Sequence, residues 1–299
     1  MSGPIVTATD FSPAALVAAK RALQLAGAQS CGLKLLHVID GGLIDALRSL
    51  LGIEGAAQKD ILSARIEGDL EAMALDIAAG SDVAVVCDIR SGPVEREIVA
   101  CLEETNARLL VIGAHGAGRL RDLPLGSTAV RLLRKTQRPT LIVQTDADAQ
   151  NTPYQRVLVP VDFSPWSAVC IAAVLALLPH AHITLLHVVA LSFEGQLRYA
   201  GVSEEVIGTY RHEARHKAFA EMKQLHDSLQ LDEERVAFRV VDGDVAPALL
   251  TAIHDEKADL VAIGKHGQGV FEDMLLGSVT QHILASAGCD VLVCGRQSS

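Results

Sequence analysis

GAHGAGRLRDLPLGS, from Gly113 to Ser127, and GKHGQGVFEDMLLGS, from Gly264 to Ser278, share one pattern: G-x-x-G, nine residues, then G-S. Each copy follows a short apolar run, LLVI at 109–112 and LVAI at 260–263, and precedes a segment whose apolar residues recur at helical spacing. The stretch is therefore expected to be a strand-to-helix junction. Glycines at such a junction can adopt φ > 0 and let the backbone approach a ligand closely. The N–H groups of the new helix favour an anion, usually phosphate. In one copy alone, such glycines could serve only to make a tight turn. Two copies with identical spacing argue for a phosphate cradle.

Working outward, the whole chain repeats. Asp10 and Asp162, His37 and His187, Gly92 and Gly243, and the two glycine stretches are each separated by 150–152 residues. Two domains follow, 1–147 and 153–299, joined near the polar stretch DADAQNTPYQ. Each opens with an apolar strand running into an aspartate, IVTATDFSP and RVLVPVDFSP. In each, Ser12-Pro13 or Ser164-Pro165 then reads as a helix start, with serine as N-cap and proline in the first turn. An alanine-rich helix, a strand carrying L-L-H-V and a long charged helix (about 57–78 and 204–228) come next. The segments 41–55 and 190–205 between them have no clear assignment. Strand and helix alternate to the end of each half. The predicted fold is α/β: two repeated doubly wound domains, each a mainly parallel five-stranded sheet with helices on both faces. Ligands bind such sheets at the carboxyl ends of the strands, where Asp10, Asp162 and both glycine stretches fall.

Bulk properties narrow the function classes. The 299 residues are 49% hydrophobic and 21% charged, with a mean hydropathy of +0.29, as in a compact globular protein. A net charge of −10 disfavours a nucleic-acid partner. The longest apolar run, Val169 to Leu178, is too short to span a bilayer, and no signal-peptide pattern opens the chain. No membrane partner and a cytoplasmic location are expected. Six cysteines without a C-x-x-C are expected to be mostly buried, reduced thiols.

These motifs together resemble the universal stress protein family, in its tandem two-domain, ATP-binding form. The resemblance covers nearly the whole chain and rests on P-V-D-F-S-P, L-L-H-V and G-x-x-G-x9-G-S. It implies that Asp162 contacts ribose or base, that backbone around Val188 meets adenine, and that Gly264, Gly267, Gly277, Ser278 and Val279 hold phosphates. The matching first-half positions are Asp10, Val38, Gly113, Gly116, Gly126, Ser127 and Thr128. Pro160 of the second pocket entrance is replaced by Ala8 in the first. Arg108, where the second half has Asp259, is expected only to face solvent. The implied ligand is ATP, or AMP or ADP, with Mg allowed alongside, and the implied role is a stress-response sensor or regulator. Residue chemistry agrees with a nucleotide. Neither G-x-x-x-x-G-K-[ST] nor G-x-G-x-x-G occurs, and an aspartate at a strand end can accept from ribose hydroxyls. Its alternative role is an extra helix cap.

Other chemistries are less well supplied. Nine of the eleven histidines lie in the second half, and His212 and His216 are one helical turn apart, yet H-E-x-x-H is absent. A metal-binding stress protein is thus an alternative, with no ligand set assigned. His37 and His187 are expected to make structural hydrogen bonds, while His115 and His266 fall beside the cradles. A slow ATP hydrolase or adenylyl-transferring enzyme is the other alternative. No carboxylate, arginine clamp or base stands at a defined spacing, so no catalytic residue is assigned. The nine intervening residues carry Arg119, Arg121 and Asp122 in the first copy but Glu272 and Asp273 in the second, where Lys265 could compensate. If that segment folds over the ligand, the first site should prefer ATP over AMP more strongly than the second. Finally, the apolar last strands, LIV and VLV, would be exposed at sheet edges unless the halves pair as a pseudo-dimer, which could dimerise further. Either half expressed alone should therefore sediment as a dimer or aggregate; two stable monomers would contradict the pairing.

Overall fold

The computed structural model describes residues 3–40, 56–116, 125–144, 152–190, 194–267 and 276–295, with side chains in the helix from 56 described from residue 63. The chain divides into units Met1–Pro153 and Tyr154–Ser299. The first runs β1 (Ile5–Thr9), α1 (Pro13–Ala28), β2 (Leu33–Ile39), α2 (Ala56–Ala78), β3 (Val85–Ser91), α3 (Val94–Glu104), β4 (Leu109–Gly113), α4 (Ser127–Lys135) and β5 (Thr140–Val143). The second runs β6 (Arg156–Pro160), α5 (Pro165–Leu177), β7 (His182–Val189), α6 (Glu194–Tyr199), α7 (Glu204–Leu229), β8 (Val236–Asp242), α8 (Val245–Asp255), β9 (Leu260–Gly264), α9 (Ser278–Ser286) and β10 (Asp290–Cys294). The segment 41–55, most of the proposed linker and the variable parts of both glycine stretches, 117–124 and 268–275, lie outside the described residues.

In the first unit the strand order is β3-β2-β1-β4-β5, with every neighbouring pair parallel. The second repeats it as β8-β7-β6-β9-β10. The chain winds outward from β1 through β3, then crosses back to β4. Right-handed crossovers therefore put α1 and α2 on one face and α3 and α4 on the other. The helices of each pair pack together. Central strands are buried on both faces, which is why they read as unbroken apolar runs: Leu109 to Ile112 and Leu260 to Ile263 are all buried. The alanines of α1 (Ala14, Ala15, Ala18, Ala19, Ala22, Ala26) are buried, small enough to bring the helix down onto β1 and β4. Edge strand β3 is different, with Val86 54% exposed.

Arg108 departs from the expectation of a solvent-facing residue. Its Nε donates to the Gly3 carbonyl at 2.7 Å and its Nη1 to Gln29 Oε1 at 3.2 Å. Asp259 does the corresponding job with the opposite charge, accepting from the backbone N–H groups of Gln155 (2.8 Å) and Arg156 (3.1 Å). Each side chain latches the entry of its unit's first strand. A backbone offers both a carbonyl and an N–H, so a cation and an anion fill the same post.

Candidate functional site

The strand order reverses between β1 and β4, and again between β6 and β9, and the crevice outside the carboxyl ends of those strands is where open α/β sheets take ligands. Asp10 and Asp162 stand at the ends of β1 and β6. Asp10 Oδ1 accepts from the backbone N–H of Ser12 at 3.0 Å. Asp162 Oδ1 accepts from three donors, the backbone N–H of Ser164 (3.0 Å), Ser164 Oγ (2.6 Å) and Ser167 Oγ (2.8 Å). The serines therefore diverge. Ser12 caps α1 by accepting from Ala15 N–H at 3.2 Å, whereas Ser164, also at the N-cap position, makes no side-chain cap bond and turns to the aspartate. The expected pair of serine caps holds for the first helix alone. Ser167 supplies the extra donor where the first unit has Ala15.

Strain falls between aspartate and serine. Phe11 and Phe163 have φ of 61° and 59°, a left-handed conformation that costs about 1–2 kcal/mol for a residue with a Cβ. Their rings pack on His37 and His187 at 4.6 and 4.5 Å between centroids. Each histidine lies with Nδ1 2.8 or 2.7 Å from the carbonyl of Thr9 or Val161. That carbonyl can only accept, so Nδ1 carries the proton. The L-L-H-V histidines thus tie β2 to the end of β1, and β7 to the residue after β6, holding the turn that aims each aspartate.

The cradle glycines do not serve through positive φ, contrary to expectation. That conformation belongs to Gly92 (φ 148°) and Gly243 (φ 136°), whereas Gly126 and Gly277 have φ of −63° and −58°. Close approach is what the cradle glycines allow. A Cβ on Gly113 would sit 2.9 Å from the Ala14 carbonyl oxygen, and one on Gly264 would sit 3.0 Å from Trp166 Cβ. A Cβ on Gly116 or Gly267 would lie 2.6 or 3.0 Å from Oδ2 of Asp10 or Asp162. The second glycine of each G-x-x-G therefore lies against the aspartate carboxylate, joining the two motifs. Gly126 and Gly277 are the N-caps of α4 and α9. They supply no side-chain acceptor, and neither first turn contains an acidic residue. Their own N–H groups donate back to Ala114 and Lys265 carbonyls at 2.8 and 3.0 Å, fixing the start of each helix. The positive end of each helix dipole opens into the crevice with no carboxylate of its own to neutralise it.

All of the sequence-predicted positions come together. Asp10, Val38, Gly113, Gly116, Gly126, Ser127 and Thr128 line a 290 Å³ cavity in the first unit. Pro160, Asp162, Val188, Gly264, Gly267, Gly277, Ser278 and Val279 line one of 690 Å³ in the second. His115 and His266 line them as well, His266 packing beside Trp166 at 5.6 Å. Lys265 is 2% exposed and is not among the described residues of the cavity wall; the acidic segment with Glu272 and Asp273, for which it could compensate, lies outside the described residues. Sequence patterns missed Trp166, Ser167 and the residues that α7 contributes, among them Tyr210 and Glu221. Comparing the halves position by position would have flagged Trp166 and Ser167, which replace Ala14 and Ala15.

Elsewhere, Cys101, Cys170 and Cys294 are buried, but Cys31 and Cys289 are half-buried and Cys87 is exposed, so burial is less general than expected. A hydrogen bond with Cys294, together with burial, holds the Cys170 thiol well above its usual range. Burial beside Asp290 pushes Cys289 up to about 12. The His212 and His216 rings meet edge-on at 4.4 Å. Among the described residues no group of three or more His, Cys, Asp or Glu side chains is placed to hold a metal. No described helix is long and apolar enough to cross a membrane.

Comparison with known proteins adds identity. The sequence pattern of the universal stress protein family matches residues 1–144 and again 153–295. The chain is 26% identical over 299 residues to universal stress protein Rv2623 of Mycobacterium tuberculosis, covering 97% of this chain and 95% of that one. It is 28% identical over 159 residues to universal stress protein MJ0577 of Methanocaldococcus jannaschii, covering 49% of this chain and 98% of that protein. The crystal structure of a universal stress protein from Archaeoglobus fulgidus shares the fold, with a TM-score of 0.68 over 99% of this chain and 100% of that one at 22% identity. A pattern found once in each half, in units that repeat one strand order and one crevice, places this chain in the universal stress protein family as a tandem member.

Proposed function

We propose that each unit binds an adenine nucleotide, ATP or its di- or monophosphate, and that the protein acts as a nucleotide-dependent sensor or regulator in a stress response. The observation that carries this is the meeting, in both units, of a glycine-capped helix N-terminus with a strand-end aspartate inside one cavity. In the second unit the N–H groups at Ser278 and Val279 take the phosphates, Asp162 accepts from the ribose hydroxyls, and backbone at Val188 meets the adenine. Ser127, Thr128, Asp10 and Val38 do the same in the first. The carboxylate and the helix end recognise opposite parts of one ligand, which suits a nucleotide better than free phosphate.

Denaturing the purified protein and identifying what it releases is the direct test. One adenine nucleotide per unit is expected, or uptake of ATP, ADP or AMP by calorimetry if the sites are isolated empty. No release and no uptake would end the proposal. Turnover is a separate matter. Among the described residues no group of three or more His, Cys, Asp or Glu side chains is placed to hold a metal, and fast phosphoryl transfer relies on such electrostatic help. Bound ATP should therefore stay intact, with phosphate release slower than about 1 s⁻¹, the lower end of ordinary enzyme rates. Faster release that disappears in Ser127→Ala or Ser278→Ala would show an enzyme instead.

A further inference from the structure

The second cavity has a wall to which the nucleotide assignment gives no role. Helix α7 contributes Tyr210, Ala214, Lys217, Ala218 and Glu221 to it, at spacings that place them along one face. Ala218 is buried with Val189 and Val240, and Ala214 packs against the same cluster. The wall therefore stands over the carboxyl end of β7, beside Val188, at the base end of the cavity. Glu221 is out of character there. Ile207, Ala218 and Met222 of the same helix are buried, and Glu221 is itself half-buried in their inward stripe. Its ion pair with Lys217, one turn away, is long at 3.8 Å and returns little. With 38% of its side chain exposed and the residue on the cavity wall, its carboxylate keeps acceptor capacity that a donor on a ligand can meet.

We infer that Lys217 and Glu221 read the edge of the nucleobase. The Glu221 carboxylate accepts from an exocyclic amino group, and the Lys217 ammonium donates to the ring nitrogen beside it. This rests on the proposed nucleotide binding and names the base class: an amino group next to a ring acceptor, as in adenine, rather than a carbonyl next to a ring N–H, as in hypoxanthine. Among the described residues that line the first cavity there is no lysine or glutamate. The base-reading pair is thus assigned to the second unit.

The test is calorimetric titration of ATP and ITP into the full chain carrying Gly126→Asp, which closes the first cradle, with and without Glu221→Leu. The parent should prefer ATP about tenfold, the return of one charge-assisted hydrogen bond at a half-open site. Leucine suits the inward stripe, and in that variant the ratio should fall to within about twofold. Glu221→Gln, nearly isosteric, keeps the test alive if leucine disturbs folding. Its amide can also donate to a carbonyl, so the ratio should fall there too. Binding of both nucleotides with a ratio near one in the parent, or a ratio unmoved by either substitution, overturns the inference and leaves nucleotide binding standing. Binding of neither ATP nor ITP by the parent overturns both.

Discussion

Gly277→Asp should abolish nucleotide binding in the second unit while leaving that unit folded, and Gly126→Asp should do the same in the first. Gly277 is the N-cap of α9, with backbone angles of −58° and 148° that aspartate adopts without strain. A Cβ there meets its nearest atoms, Thr280 Oγ1 and the Lys265 carbonyl oxygen, at 3.6 and 3.7 Å, ordinary contact distances. The new carboxylate would accept from the first-turn N–H groups, supplying from within the chain the anion that the ligand otherwise brings. Stability without ligand should therefore hold or rise, by about 0.5–2 kcal/mol for a good cap. Affinity should fall at least about a hundredfold, as charge-assisted bonds are replaced by like-charge repulsion. Gly126→Asp should be less stabilising, because its Cβ meets the Ala114 carbonyl oxygen at 3.3 Å and the neighbour must yield. Calorimetry of ATP and AMP with wild type and both variants checks this. Stoichiometry should drop from one nucleotide per unit to one per chain, and unchanged stoichiometry would show that the helix ends are not the phosphate sites. The same titrations ask whether the first site, with Arg119 and Arg121, favours ATP over AMP more than the second does. Equal preference would remove any role for the intervening charges.

The second large effect is expected at the strand-end aspartates, and it should be unequal. Asp162→Ala removes the acceptor shared by Ser164 N–H, Ser164 Oγ and Ser167 Oγ, leaving donors to find new partners in a partly buried turn. A stability loss of about 1–3 kcal/mol follows, together with a loss of nucleotide affinity of about ten- to a hundredfold from the missing ribose contact. Asp10→Ala should cost similar affinity but less stability, since Ala15 stands where Ser167 adds a hydroxyl donor and Ser12 Oγ accepts from Ala15 N–H as a helix cap. Ser167→Ala provides the control: it makes the second aspartate resemble the first and should reduce the stability difference without abolishing binding. Equal melting shifts for the two aspartate variants, or full affinity retained in both, would contradict these roles.

Such asymmetries mark the boundary between what the sequence by itself determined and what the tertiary structure decided. The α/β class, the repeat and the association of Asp10 or Asp162 with a glycine stretch were legible. Strands buried on both faces write themselves as apolar runs, and helix starts carry their own residue chemistry. Such signals are local, set by backbone angles and burial over a few residues. The function of each glycine was not local. Gly116 must lack a Cβ because Asp10, more than a hundred residues earlier in the chain, comes within 2.6 Å of where it would be, and only the β1–β4 pairing brings them together. For the same reason Arg108 and Asp259 looked like unrelated charges until the start of a distant strand appeared beside each. In the sequence Glu221 is one more charge on a long charged helix, and only the packing of α7 on β7 puts it on the cavity wall. Periodicity reports which face of a segment is inward. It does not report what that face will meet, because that depends on strand order and register among segments far apart in the chain.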